Sequence, residues 1–486
     1  MSRELKGEIV VASRIVDYLS SGLYESPAAC LKELVNNAYD ADAKKVELFV
    51  KPDANRIIVT DDGHGMDSKD FEKNFSKISE SFKREDSELT KSSRPKIGKI
   101  GIGFIAANEI CDVMQIISTK AGSTEKINIE INFKAMRSPI DERRRGESNF
   151  AKADYIGKTE SAPAGEHYTH IFLKEIRGPA QELLAGARDT GEETSLYGLS
   201  PEAIAKRLRD PMLRSWEGFD FYSRTMLEVA LNVPIKYAKN WCTTRYTTKL
   251  KSFTSAVEDL DFCVTFDGTE LEKPIIFSDT DRSLIKTFKF SGKDVAFKSY
   301  FYVQHGIIKP QDLNGVLIRI RNSAVGKYER GFLGFPNSIG TLFQRWISAE
   351  LWADDRLEPA MNIDRRTLRV THPAYLEMID ELHKQLREVL NETREVLYET
   401  PAKDQREVKA NEELTAIRKS VSNVKQLSVA ENEKFKSTRN FNQKSLLRKY
   451  STAELFDLVL EVAERTLKGP VLKDFVTELM KTVFKK

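Results

Sequence analysis

A chain of 486 residues, 40% hydrophobic and 31% charged, exceeds one small module and has room for about three domains. With 76 Lys and Arg against 73 Asp and Glu the formal net charge is +3, so no global positive field marks a nucleic-acid binder and any basic patch is local. No stretch approaches the roughly 20 apolar residues of a membrane span, and the first residues lack the charged start, apolar run and cleavage site of a secretory signal, so the expected location is cytoplasmic, with no membrane partner. Cys30, Cys111, Cys242 and Cys263 make no C-x-x-C pair, and the six histidines form no ligand spacing, which argues against a zinc site or a disulfide framework.

In chain order, residues 28–43 read as a helix and 45–50 and 56–60 as short strands. A Gly-rich turn follows, then a helical stretch from about Ser68 and a Ser/Lys-rich loop near residues 84–97. A second Gly-rich segment opens a helix near Gly103. Strand patterns occupy 113–119, the alternation Ile127, Ile129, Ile131 and Phe133, and 168–176. The fold class expected is α+β, with a sheet covered on one face by helices. A second block, about 200–400, begins helically and continues through strand patterns at 262–266, 299–303 and 315–320. It ends on a helix from about Pro373, whose stripe of Tyr375, Ile379, Leu382, Leu386 and Val389 suits either a coiled-coil seam or a packed core. Residues 401–450 hold 12 Lys/Arg against 6 Asp/Glu, as in a linker or basic arm. Ser451 and Glu454 stand in capping-box spacing before an amphipathic helix, and Gly469-Pro470 splits the remainder into a helical hairpin.

Three segments carry chemistry. In LKELVNNAYDADA, at about 100° per residue, Glu33, Asn37 and Asp40 fall within roughly 60° of one another, while Leu31, Leu34, Val35, Ala38 and Ala41 fill the opposite arc. The polar arc is either an ordinary solvated face or part of a site. In IIVTDDGHGMD, Asp61 ends an apolar strand; its carboxylate can accept from an exocyclic amino group, and Gly63 and Gly65 let a planar ring approach the backbone. A plain turn is the alternative. In KIGKIGIGF, Gly98, Gly101 and Gly103 precede a helix, an arrangement whose free N–H groups receive phosphate oxygens.

In their order and spacing these segments resemble the GHKL ATPases, the family of gyrase B, the ninety-kilodalton heat-shock chaperones, histidine kinases and MutL proteins. Glu33, Asn37 and Asp40 match E-x-x-x-N-x-x-D; Asp61, Gly63 and Gly65 match D-x-G-x-G; Gly98, Gly101 and Gly103 match the G-x-x-G-x-G lid hinge; and YTHIFL is similar to the threonine-bearing strand, with Thr169 in the nucleotide pocket. The resemblance implies a Bergerat-type ATP-binding α/β sandwich over residues 1–200 with a lid at about 81–103. A transducer α/β domain over 201–400, a basic linker over 401–450 and a C-terminal helical segment over 451–486 would follow.

By resemblance, ATP and Mg²⁺ are the cofactors. Glu33 is implied as the general base, Asn37 as a Mg²⁺ ligand, Asp61 as the reader of the adenine amino group and Asp40 as support for the pocket; Met66, Lys99, Ile102 and Phe104 complete the implied site. In the second block EPAMNIDRR is similar to a catalytic-loop segment, which places a phosphate-sensing arginine at Arg365, with Asn362 before it and Arg366 as the adjacent candidate. The later part looks most like microrchidia-type and bacterial relatives. The expected function is an ATP-gated homodimeric switch or clamp on DNA in bacterial defence or repair. The alternative is a chaperone-like or regulatory ATPase that controls a protein effector through its C-terminal segment. Ile9, Val10 and Val11 are candidates for an exchanged arm in the dimer.

Overall fold

The computed structural model describes residues 4–7, 26–50, 55–75, 89–98, 103–137, 155–278, 280, 282–336, 341–362, 365–399, 408–409, 411–413, 415 and 452–484. Lys99, Gly101, Ile102, the residues 9–11, most of the expected lid and most of 401–450 lie outside them. The chain divides into two units, Met1–Val389 and Leu390–Lys486.

The first unit opens on β1 (Glu4–Gly7), α1 (Pro27–Asp40), β2 (Lys45–Phe49), β3 (Arg56–Asp61) and α2 (Ser68–Phe75). A 3-10 helix at Gly103–Glu109 then leads to β4 (Cys111–Thr119), β5 (Glu125–Asn132), β6 (Tyr155–Ser161) and β7 (Tyr168–Ile176). With β8 (Cys263–Phe266) and β9 (Thr269–Glu270) these strands form a nine-stranded sheet in the order β1-β6-β5-β4-β7-β3-β2-β8-β9. The period-two pattern sets its faces: Ile57 and Val59 on β3, Met114 and Ile116 on β4 and Ile127, Ile129 and Ile131 on β5 are buried, while alternate residues are at least partly accessible. β8 pairs in parallel with β2, Lys45 opposite Cys263 through Leu48 opposite Phe266, so the sheet runs past the boundary expected at residue 200. Buried Val264 and Phe266 cover an edge of β2 that would otherwise expose its backbone groups.

Helices α3 (Pro201–Leu208), α4 (Phe221–Asn232) and α5 (Thr244–Glu258) lie between β7 and β8 in sequence, and α4 packs on α1. A second, five-stranded sheet contains β10 (Ser283–Ser291), β11 (Ala296–Gln304), β12 (Gly315–Ile320), β13 (Ser323–Glu329) and β14 (Ile347–Ala353), ordered β10-β11-β14-β12-β13. Helix α6 (Pro373–Glu392) follows; Met378, Leu382, Leu386 and Val389 are fully buried, which makes the stripe packed core and not an open seam. Ser299 Oγ also donates to Gln385 Oε1 at 2.7 Å. The class is therefore α+β, as the sequence implies.

Every residue of β14 is buried, including Glu350. Its carboxylate accepts from Arg319 Nε and Nη2 at 3.0 and 2.9 Å, from Tyr237 at 2.5 Å and from Tyr328 at 3.2 Å. In the second unit, α7 (Thr452–Thr466) and α8 (Pro470–Phe484) pack on each other across Gly469, whose φ of +60° allows the sharp reversal. Among the described residues no helix is long and apolar enough to cross a membrane.

Removing one partner of a fully buried ion pair strands the other charge, at a cost of about 3–5 kcal/mol. Glu350→Ala is therefore expected to lower the free energy of unfolding by that amount in denaturant titration, with a surface change such as Glu166→Ala as the neutral control.

Candidate functional site

Helix α1 starts with Pro27 at its first position, where a missing N–H costs nothing, and ends before Asp42, which takes a left-handed backbone at φ +60°. Of the two alternatives for the polar side of α1, an ordinary solvated face is not what forms. Lys32, Glu33 and Asn36 are all buried, and none of the helix's residues is exposed, because α4 and β13 cover the side away from the sheet. Lys32 Nζ donates to the Ala324 carbonyl at 2.8 Å, joining α1 to β13. Asn36 is enclosed, with neither polar atom of its amide hydrogen-bonded.

Glu33 is 7% exposed and faces a recess lined also by Lys32, Glu228 and Asn232 of α4, Lys327 of β13 and Arg366. Lys327 Nζ donates to Glu228 Oε1 at 2.7 Å. Arg366 reaches this place because Gly326 lets the backbones meet: a Cβ there would lie 2.4 Å from the Arg366 carbonyl oxygen. Arg365, the residue singled out from sequence, is buried with φ +53° and is not among the residues lining the recess. Its N–H donates to the Asn362 carbonyl at 3.0 Å.

Asn37 is half-buried, and its side chain has no partner among the described residues. Asp40 is engaged: Oδ1 accepts from Ile97 N–H and Oδ2 from Gly98 N–H, both at 2.6 Å. The Gly98 amide, expected to be free for a phosphate, is thus held by a protein carboxylate. Gly103 begins a 3-10 helix that also contains Phe104, where a regular helix was expected.

At the far end of α1 the sheet presents a row of polar groups. Asp61 on β3 lies opposite Thr169 on β7, which lies opposite Ser118 on β4; the three are 6%, 5% and 0% exposed. Ser118 Oγ donates to the Tyr168 carbonyl at 2.8 Å, accepts from Met66 N–H at 3.0 Å and lies 3.1 Å from Thr169 Oγ1. Asp61 Oδ1 accepts from Gly63 N–H at 2.9 Å, and His167 Nδ1 lies 2.8 Å from the Gly63 carbonyl oxygen. Gly65 has φ +65°, and a Cβ there would stand 1.8 Å from the Thr119 carbonyl oxygen, so no other residue fits. Burial pushes the Asp61 carboxyl up to about 7, only partly opposed by the Gly63 hydrogen bond. Burial likewise lowers the pKa of His64, whose Nδ1 has no partner.

Asp61, Gly63, Gly65, Met66 and Thr169 thus gather at one end of α1, and Glu33 stands at the recess near the other, with Asn37 between them along the helix. Ser118, Lys32 and Arg94 were not singled out from sequence. Arg94 donates to the carbonyls of Ala43 and Asp261, each at 2.6 Å, and so ties down the segment before Gly98. Ser118 left a signal: it continues the inward row of Met114 and Ile116, as Asp61 continues Ile57 and Val59. Polar residues thus end inward apolar rows on neighbouring strands and meet side by side.

Residues 24–160 match the family described as histidine kinase-, DNA gyrase B-, and HSP90-like ATPase. Among similar proteins, a putative type II restriction enzyme HgiDII of Herpetosiphon aurantiacus is 36% identical over 115 residues, 24% of this chain and 18% of the relative. The chaperone protein HtpG of Ruthia magnifica is 30% identical over 137 residues, and that of Bacillus subtilis 29% over 145; these cover 24% and 25% of this chain and 22% of each relative. The match thus spans about a fifth of the length of these relatives. Residues 24–160 therefore form a domain of the GHKL ATPase family.

Asp61 gives a pH test that needs no ligand. Its carboxyl titrates near 3.8 when unfolded and near 7 when folded, so between those values the folded state holds the extra proton. Stability from this group is fully present below pH 3.8 and falls by about 1.4 kcal/mol per pH unit until about pH 7. The stability of Asp61→Asn relative to wild type is therefore expected to rise between pH 5 and pH 7 in denaturant titrations; a flat difference would refute the shift.

Proposed function

We propose that the chain is a Mg²⁺-dependent ATP hydrolase working as an ATP-gated switch between two copies of itself. What carries the reading is the burial of Glu33 beside Arg366: a residue of α1 and a residue of the segment after β14 line one recess, while Asp61 lies toward the opposite end of the same helix. Asp61 accepts from the adenine amino group, for which its buried position selects a donor. Gly63 and Gly65 let the loop after β3 pack against the backbones of Ala41 and Thr119, which fixes Asp61 in place, and Thr169 and Ser118 form the polar floor beside it. Glu33 orients and deprotonates the attacking water. Arg366, with Arg365 beside it, meets the terminal phosphate and stabilises charge as the bond breaks.

The donor set suits Mg²⁺ carried by the nucleotide. Among the described residues no cluster of three His, Cys, Asp or Glu could cage a metal ion, and Asn37 offers an unengaged amide oxygen, which fits an ion that keeps phosphate oxygens and waters as its other ligands. When bound, the ion would neutralise phosphate charge.

For the target of the switch we favour DNA, in a defence or repair setting. The relative named as a putative restriction enzyme and the basic composition of residues 401–450 support it. The HtpG relatives favour a second reading, a chaperone-like ATPase acting on a protein, and the exposed Leu458, Val462 and Phe475 of the C-terminal hairpin suit it.

Phosphate release from ATP with Mg²⁺, with and without duplex DNA, tests both levels. Wild type is expected to turn over, and Glu33→Ala to bind ATP while losing at least about 100-fold in kcat. Equal rates would remove Glu33 as the base. Stimulation by DNA favours the clamp; stimulation by an unfolded protein client instead favours the chaperone-like reading.

A further inference from the structure

The β12–β13 hairpin turns through Arg321 and Asn322, both left-handed, at φ +52° and +67°. Two-residue turns of this kind favour Asn and Gly, and an arginine there is uncommon. This arginine does not point to solvent, since its side chain is only 3% exposed. Nε donates to Asp355 Oδ1 at 2.7 Å, and Nη2 lies 3.1 Å from Glu358 Oε2. Both carboxylates belong to the 3-10 helix Asp355–Ala360, which precedes Arg365 and Arg366 in the chain.

The remaining arm of the guanidinium reaches 225 residues back along the chain, where Nη1 donates to the carbonyl of Lys96. The N–H of that same peptide group belongs to Ile97 and donates to Asp40, as does the next N–H, of Gly98. A trans peptide group is planar, with its oxygen and hydrogen on opposite sides. One peptide plane is therefore gripped on its oxygen side by the second sheet and on its hydrogen side by α1. The guanidinium thus ties its hairpin to the Asp355–Ala360 helix on one side and to the Lys96 peptide group on the other.

We propose that Arg321 is a positioning residue that holds the Lys96–Gly98 segment and the Arg365–Arg366 segment in register, so that groups on the phosphate side of the site assemble only when the second sheet is seated on the first. The proposal rests on the ATPase reading above for its consequence in turnover, but the clamp itself is a property of the chain alone. It makes Arg321 the link through which a change at the phosphate end is passed to the five-stranded sheet.

The test combines two readouts on the full chain. Hydrogen–deuterium exchange by mass spectrometry, without nucleotide, follows peptides covering Ile97 and Gly98; steady-state phosphate release gives kcat and KM. In Arg321→Ala, exchange at these amides is expected to rise at least about tenfold, with β10–β11 unchanged. With ATP, kcat is expected to fall about tenfold and KM to stay within about threefold, since groups that position but do not bind act on turnover. Arg321→Lys, which keeps a donor for Lys96, should fall between. If Arg321→Ala does not fold, Arg321→Met, which keeps the stem's packing, decides the question by the same exchange. Unchanged exchange at Ile97 and Gly98 in the folded variant overturns the clamp. A wild type without ATP turnover but with the expected exchange change overturns the ATPase reading and leaves the clamp standing.

Discussion

Helix α1 has no exposed residue, and the arrangement of the first unit follows from that enclosure. Its apolar side, with Leu31, Leu34, Val35 and Ala38, is held in the core of the nine-stranded sheet domain by the ordinary hydrophobic effect. Its other side carries Lys32, Glu33 and Asn36 and is closed by α4 and β13. Burying such groups is unfavourable unless each finds a partner or a task. Lys32 finds the Ala324 carbonyl, whereas Glu33 faces a recess lined also by Glu228, Lys327 and Arg366. The second block is thus a wall of the site.

That wall has to be stiff to be useful. Within β14, Glu350 collects four hydrogen bonds from Arg319, Tyr237 and Tyr328 and so ties β12, β13 and the segment after α4 to the central strand. A buried pair of this kind gives little net stability against a well-packed apolar substitute, but once present its geometry admits few alternatives. Neighbouring elements inherit that definition: Gly326 lies against the Arg366 backbone, and Arg321 extends from the far end of β12 to the carbonyl of Lys96. The segment before Gly98 and the segment carrying Arg365 and Arg366 are therefore referred to the same sheet.

The other end of α1 is built differently, by sheet register. Asp61, Thr169 and Ser118 sit side by side on β3, β7 and β4, each continuing an inward row, so a polar floor appears where three apolar rows stop. Gly65 lets the loop after Asp61 lie directly on the Thr119 carbonyl, and the carboxyl is left dry enough for its proton affinity to rise. A dry acceptor discriminates among donors more sharply than a solvated one does.

By itself the sequence determined the local elements and the inventory of site groups. Period-two rows named β2, β3, β4, β5 and β7, and the E-x-x-x-N-x-x-D, D-x-G-x-G and glycine-rich motifs named Glu33, Asn37, Asp40, Asp61, Gly63, Gly65 and Gly98. These signals are legible because a face or a tight turn is encoded within a few neighbouring residues. Tertiary structure alone decided which of these groups meet, because the contacts span long stretches of chain that no local period records. It buried the polar side of α1, gave Arg366 rather than Arg365 to the Glu33 recess, added β8 to the first sheet across the expected boundary, and set Asp40 and Arg321 on opposite edges of one peptide group.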